Sequence, residues 1–173
     1  PPVTVNQVGT VSITATVTSQ IAQTGPGDGV LGLYGNSLWH VNTSLSVRPL
    51  TTPPGARVVA PYGSRIMAAN TPTNPNRVYY SSAITATAVI NATFPATNFF
   101  DVGVGGWGIP VLDETRQRLT IGNDGGECWG RSGVPGGNDV LRRQPRGDLA
   151  PIAWYHACRI GEAIWFLPLG EDF

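Results

Sequence analysis

Val58-Val59-Ala60-Pro61-Tyr62-Gly63-Ser64-Arg65-Ile66-Met67-Ala68-Ala69 decides how the rest of the chain reads. A short apolar run reaches a turn at Tyr62-Gly63, and a second apolar run leaves it. Both runs are too short for a helix and neither repeats at 3.6 residues, so they read as the two strands of a hairpin. Their apolar residues do not alternate with polar ones, which marks strands covered on both faces. A third strand follows at Arg77-Val78-Tyr79-Tyr80-Ser81.

Three other stretches share this layout. Val30-Leu31-Gly32-Leu33-Tyr34 turns at Gly35-Asn36 into Ser37-Leu38-Trp39-His40-Val41. The run from Ile109 to Leu112 passes a turn at Asp113-Glu114-Thr115-Arg116-Gln117 into Arg118-Leu119-Thr120-Ile121. Ile152-Ala153-Trp154-Tyr155-His156 passes Arg159-Ile160-Gly161-Glu162 into Ala163-Ile164-Trp165-Phe166-Leu167. Aligned on their second strands, Leu38, Ile66, Leu119 and Ile164 correspond, with spacings of 28, 53 and 45 residues. Degenerate repetition at roughly 40–50 residues in an all-β sequence is the mark of propeller blades. Each blade is a four-stranded antiparallel sheet with buried inner strands and more polar outer ones. Glu127-Cys128-Trp129-Gly130 fits as the third strand of the third unit. Four hairpins are too few to close a typical ring. A two-sheet sandwich, such as a capsid decoration protein, also fits the strand pattern taken alone.

The first residues differ from the rest. Val11, Ile13, Ala15 and Val17 alternate with Ser12, Thr14, Thr16 and Thr18, a strand pattern with one wet face. Gly25-Pro26-Gly27-Asp28-Gly29 then breaks the chain. The expected organisation is all-β: an extended N-terminal arm over residues 1–28, then propeller-like antiparallel blades over 29–173, incomplete as a ring.

The 173 residues include 22 Gly and 15 Pro, while charged residues make up only 13%. An ordinary protein has about 25% charged residues. That composition excludes a coiled coil, a charged helical bundle and a basic nucleic-acid module. Net charge is zero, and all 11 basic residues are Arg. No apolar run approaches the ~18 residues of a membrane-spanning helix. The opening Pro1-Pro2, without Met or a basic-apolar leader, suggests a processed chain or a piece of a longer one. The apolar stretch Ile164-Trp165-Phe166-Leu167 close to the last residue suggests an edge that further sequence or a partner covers. Cys128 and Cys158 read as two small buried thiols; spacing alone does not decide whether they pair. Two Cys and two His at scattered positions make no zinc site.

Gly122-Asn123-Asp124-Gly125-Gly126-Glu127-Cys128-Trp129 resembles the Asp-box, Ser-x-Asp-x-Gly-x-Thr-Trp, of sialidase-like propellers. Asp124, Gly126 and Trp129 match; Gly122 replaces the Ser and Cys128 the Thr. In such a turn the Asp accepts backbone N–H bonds, Gly supplies positive φ and Trp packs under the hairpin. An Asn-Asp-Gly-Gly hairpin turn of no particular family reads equally well.

Gly63-Ser64-Arg65-Ile66-Met67-Ala68-Ala69-Asn70, followed by Asn74-Pro75-Asn76-Arg77-Val78-Tyr79-Tyr80-Ser81, resembles a pattern in bacteriophage tail propellers. Asn98-Phe99-Phe100-Asp101-Val102-Gly103 is similar to the aromatic segment that follows it there. Gly161-Glu162-Ala163-Ile164-Trp165-Phe166-Leu167 is similar to the strand of the final blade. The resemblance covers residues 28–173 in pieces. It implies a virion structural component of the nozzle, hub or minor tail type, with other tail subunits as partners in a homo- or hetero-oligomer and the virion as its location. Trp107, Ile164, Trp165, Phe166 and Leu167 are then the expected structural contacts.

The remaining motifs add little. Arg146-Gly147-Asp148 is a three-residue match to an adhesion motif beside Arg142-Arg143-Gln144-Pro145, which reads as a solvated loop. Those arginines form no basic stripe, so DNA contact is not expected. Asn42-Thr43-Ser44 and Asn91-Ala92-Thr93 are formal glycosylation sequons. Asp113 and Glu114 are adjacent and do not form a glycosidase carboxylate pair. His40 and His156 sit in apolar strands beside Trp39 and Tyr155. No nucleophile elbow, phosphate loop or His-Glu-x-x-His occurs. The expectation is no enzyme, no cofactor and no metal. Trp107, between Gly105-Gly106 and Gly108, has the surroundings of a sugar-stacking platform or of a lid on an apolar end. The alternative reading is a carbohydrate-binding or sialidase-like propeller with a glycan partner.

Overall fold

The computed structural model describes residues 20–23, 30–34, 37–41, 47–50, 55–83, 93–103, 105–115, 117–137, 139–143, 157–160 and 163–166, with side chains described only within 55–142. Fourteen strands and no helix occur among these residues. The strands are β1 (Gln20–Gln23), β2 (Val30–Tyr34), β3 (Ser37–Val41), β4 (Val47–Leu50), β5 (Val58–Tyr62), β6 (Arg65–Ala69) and β7 (Arg77–Tyr80). They continue with β8 (Phe99–Asp101), β9 (Val111–Thr115), β10 (Arg118–Gly122), β11 (Cys128–Gly133), β12 (Asp139–Arg143), β13 (Ala157–Ile160) and β14 (Ala163–Phe166).

Strand order follows chain order everywhere. β1–β4, β5–β8 and β9–β12 are three antiparallel four-stranded meanders, and β13–β14 is a hairpin. The anticipated hairpins are the first pairs of strands in their units or their neighbours. Tyr62 pairs with Arg65 across the two-residue turn at Gly63 (φ 54) and Ser64 (φ 58). Two consecutive positive φ values give the turn whose twist suits a tight hairpin. Leu38, Ile66, Leu119 and Ile164 each occupy the second position of β3, β6, β10 and β14.

The burial gradient across the second meander explains its sequence. β5 and β6 are buried on both faces, β7 alternates with Val78 and Tyr80 inward, and β8 is largely exposed. β5 lies beside β9 and also beside β1, so it touches both of the other meanders. Val58, Ala60, Tyr62, Met67, Ala69, Val78 and Tyr80 share one core with Val102, Ile109, Leu112, Leu119 and Ile121 of the next unit. Val59, Ile66 and Ala68, equally buried, stand at the alternate positions and so on the opposite face. Each large apolar side chain buried this way contributes roughly 1.5–3 kcal/mol. Pro61 is tolerated because β5 is an outer strand in hydrogen-bonding order and has no second ladder to break.

Four expectations change. Gln20–Gln23, placed in the arm, is β1 and pairs with β2, so the first sheet begins inside residues 1–28. Asp113 and Glu114 lie on β9 opposite Thr120 and Leu119, and the turn falls later, where Gln117 has φ 59. Arg142 and Arg143 belong to β12, opposite Gly130 and Trp129, and not to a loop. The first strand of the last hairpin is Ala157–Ile160; Ile152–His156 fall outside the described residues. So do the alternating stretch Val11–Val17, the Arg146-Gly147-Asp148 triplet and Leu167. Among the described residues no helix is long and apolar enough to cross a membrane.

Candidate functional site

The β10–β11 turn and the β8–β9 connection meet where the second and third sheets adjoin. Asn123 is fully buried and stitches the turn. Its Oδ1 accepts the Glu127 backbone N–H at 2.8 Å, and its Nδ2 donates to Glu127 Oε2 at 2.9 Å. Its own N–H donates to the Glu127 carbonyl at 3.0 Å. Glu127 Oε2 also accepts from Trp129 Nε1 at 3.2 Å. Gly126 supplies the left-handed residue, φ 83, and Trp129 packs partly buried against the shared core.

Gly126 and Trp129 therefore do what an Asp-box-like turn asks of them, but the acceptor is Asn123, one residue before Asp124. Asp124 Oδ1 is buried and has no hydrogen-bond partner. Its backbone N–H donates to the Gly108 carbonyl at 3.0 Å, which ties the third sheet's turn to the connection from the second. Close approach makes that possible. The Trp107 ring lies directly on Gly125, where a Cβ would stand 2.7 Å from a ring atom. Gly108 is similarly bare: a Cβ there would be 2.9 Å from Asp124 Oδ2 and 3.1 Å from Asn70 Oδ1. Asn70 follows β6 in the left-handed region, φ 60, which Asn tolerates better than most residues. Trp107 remains 47% exposed.

Two arginine–aromatic clusters flank this junction. On the outer strands, Arg77 makes a two-pronged ion pair with Asp101, Nε to Oδ1 at 2.7 Å and Nη2 to Oδ2 at 3.0 Å. Its guanidinium stacks 3.7 Å over the Phe99 ring. The hydrogen bond from Arg77 holds the Asp101 carboxyl below the usual carboxylate range. A charged pair between β7 and the short edge strand β8 discourages uncontrolled edge pairing. Further in, Arg131 lies 3.7 Å over Phe100 and Arg65 lies 5.3 Å over Tyr80. Burial pushes the Arg131 pKa down. Tyr62 Oη donates to the carbonyls of Arg131 at 3.1 Å and Gly133 at 2.8 Å, and burial pushes its phenol up.

Among the other expected contacts, Ile164, Trp165 and Phe166 lie on β14 opposite Arg159, Cys158 and Ala157. Cys128 is buried. Among the described residues no three His, Cys, Asp or Glu side chains gather as metal ligands. Asn123, Asn70 and Tyr62 were not singled out by sequence. The one available signal was an Asn four residues before a Glu across a Gly-Gly turn.

No protein-family model matches the chain, and no curated protein matches it in sequence.

Proposed function

We propose that this chain is a structural subunit of a phage-like tail, built of propeller-type blades and assembled through β-edge and apolar contacts with neighbouring subunits. The observation that carries the reading is the succession of chain-ordered four-stranded meanders with their first strands side by side, β1 next to β5 and β5 next to β9. A propeller is built by that repetition around an axis. The stretch that resembles tail propellers, residues 63–81, falls on β6 and β7 of the second meander, with its arginines on defined partners.

Two measurements test this. Mass photometry and negative-stain microscopy of the full chain at micromolar concentration should show defined oligomers with a central axis. A monodisperse monomer would overturn the assembly reading. Antibody raised against the chain should label purified phage-like particles from the source cells at the tail; particles without the chain would overturn the tail reading.

A further inference from the structure

We infer that Trp107, Asp124 and Asn70 form a receptor for one arginine guanidinium group, supplied by a second copy of this chain. The argument starts from what this protein does with its own arginines. Arg77, Arg131 and Arg65 each lie over an aromatic ring, Phe99, Phe100 and Tyr80 respectively. Each of two of these guanidinium groups also meets an oxygen acceptor: Arg77 meets the Asp101 carboxylate, and Arg65 Nη1 meets the Ser81 carbonyl at 2.6 Å. Ring face plus oxygen acceptor is the arrangement a planar five-donor cation fits best.

The junction gathers the same parts, a ring and two oxygen acceptors, and no described residue supplies it with a guanidinium. One face of Trp107 is sealed on Gly125, while the residue as a whole stays 47% exposed. Gly105 and Gly106, just before it, have open space where side chains would stand. Asp124 Oδ2 and Asn70 Oδ1 border the same point at Gly108, one a charged acceptor and the other a neutral one. Asp124 Oδ1 is buried without a donor, so one oxygen of this half-buried carboxylate is uncompensated. No arginine among the described residues pairs with Asp124. An aromatic ring and two oxygen acceptors at one junction suit a cationic donor. A copy of this chain can present only guanidinium, since its 11 basic residues are all Arg.

The receptor stands on its own geometry, whereas the second copy as the source rests on the assembly reading above; the experiment separates them. Titration of the full chain with N-acetyl-arginine amide, followed by tryptophan fluorescence and ligand-observed NMR, should saturate. It should bind about fivefold or more tighter than N-acetyl-lysine amide, because only guanidinium stacks flat and bonds two oxygens. D124N, which keeps the shape, and N70G, which keeps the positive φ, should each weaken binding about fivefold or more. A response that does not saturate, or D124N binding unchanged, overturns the receptor whether or not the chain assembles. Sedimentation velocity then reads the source. Self-association should weaken about tenfold in D124N and in W107A and be competed by N-acetyl-arginine amide. Association unchanged in both variants overturns the second copy as the source and leaves assembly standing. A wild-type chain that never associates overturns assembly, while the receptor is still judged by the titration.

Discussion

Tyr62→Phe removes one oxygen from the seam between the second and third sheets and leaves the ring in place. The residue is 3% exposed and its hydroxyl donates to two carbonyls 69 and 71 residues away, at 3.1 and 2.8 Å. Those carbonyls, on Arg131 and Gly133, belong to β11, so one hydroxyl pins β5 to the neighbouring meander. Loss of a buried, shared hydrogen bond of this kind costs about 1–2 kcal/mol. For a chain of this size that lowers the melting midpoint by about 2–8 °C. Tyr79→Phe is the control. Its hydroxyl accepts from Asn74 Nδ2, at 3.0 Å, in the turn that leads into its own strand and at a partly exposed position, so its effect should be much smaller. Differential scanning calorimetry of the two variants makes the comparison. If Tyr62→Phe leaves the midpoint unchanged, or if Tyr79→Phe lowers it as much, the seam is not held as argued. Spectrophotometric titration adds a second reading. Burial raises the Tyr62 pKa above its unfolded value, so its contribution is full below pH ~10 and is lost as pH rises through the folded value. One phenol should therefore ionise after the exposed ones, and its late ionisation should vanish in Tyr62→Phe.

Asn123→Ala should cost about 2–3 kcal/mol by stranding the Glu127 N–H and losing the Nδ2 bond, whereas Asp124→Ala should cost far less, since its Oδ1 has no donor to lose. Urea unfolding of both variants decides the order, and the reverse order would restore Asp124 as the turn's acceptor. Gly126→Ala should cost about 1 kcal/mol because its φ of 83 is left-handed, measurable in the same denaturation series. Asp101, lowered by Arg77, supports the fold above the unfolded carboxylate pKa and loses that support as pH falls through the folded value. With Asp101 47% exposed, solvent screening keeps the pair below about 1 kcal/mol, so Asp101→Asn should lower stability only slightly near neutral pH, and less still in high salt, with the difference vanishing as pH falls through the folded value.

Val58–Ala69 shows why the inner strands were legible before any coordinates. A strand enclosed by sheets on both faces must be apolar at consecutive positions, and a two-residue turn must carry residues that accept positive φ. Those are local demands, written into local sequence, and they also placed Leu38, Ile66, Leu119 and Ile164 in register. The outer strands β4, β8 and β12 make no such demand. Arg142 and Arg143 were read as part of a loop because an edge strand needs only a neighbour's backbone, and Val140 and Arg142 on this one are exposed.

The Asn123-Asp124 pair marks where local reading stops. Both side chains are acceptors suited to a turn, so sequence named a turn there and a left-handed Gly126. Which of the two bonds the backbone depends on the second sheet's connection. That connection presses Gly108 and Trp107 onto the turn, leaves Asn123 inside and turns Asp124 toward Asn70. Sequence by itself determined the all-β character, the hairpins and their repetition, because propensity, periodicity and turn chemistry act over a few residues. Only the tertiary structure decided the Tyr62 seam, the seat of Trp107 on Gly125 and the meeting of Asn70 with Asp124, because these partners lie 18 to 71 residues apart and nothing but packing brings them together.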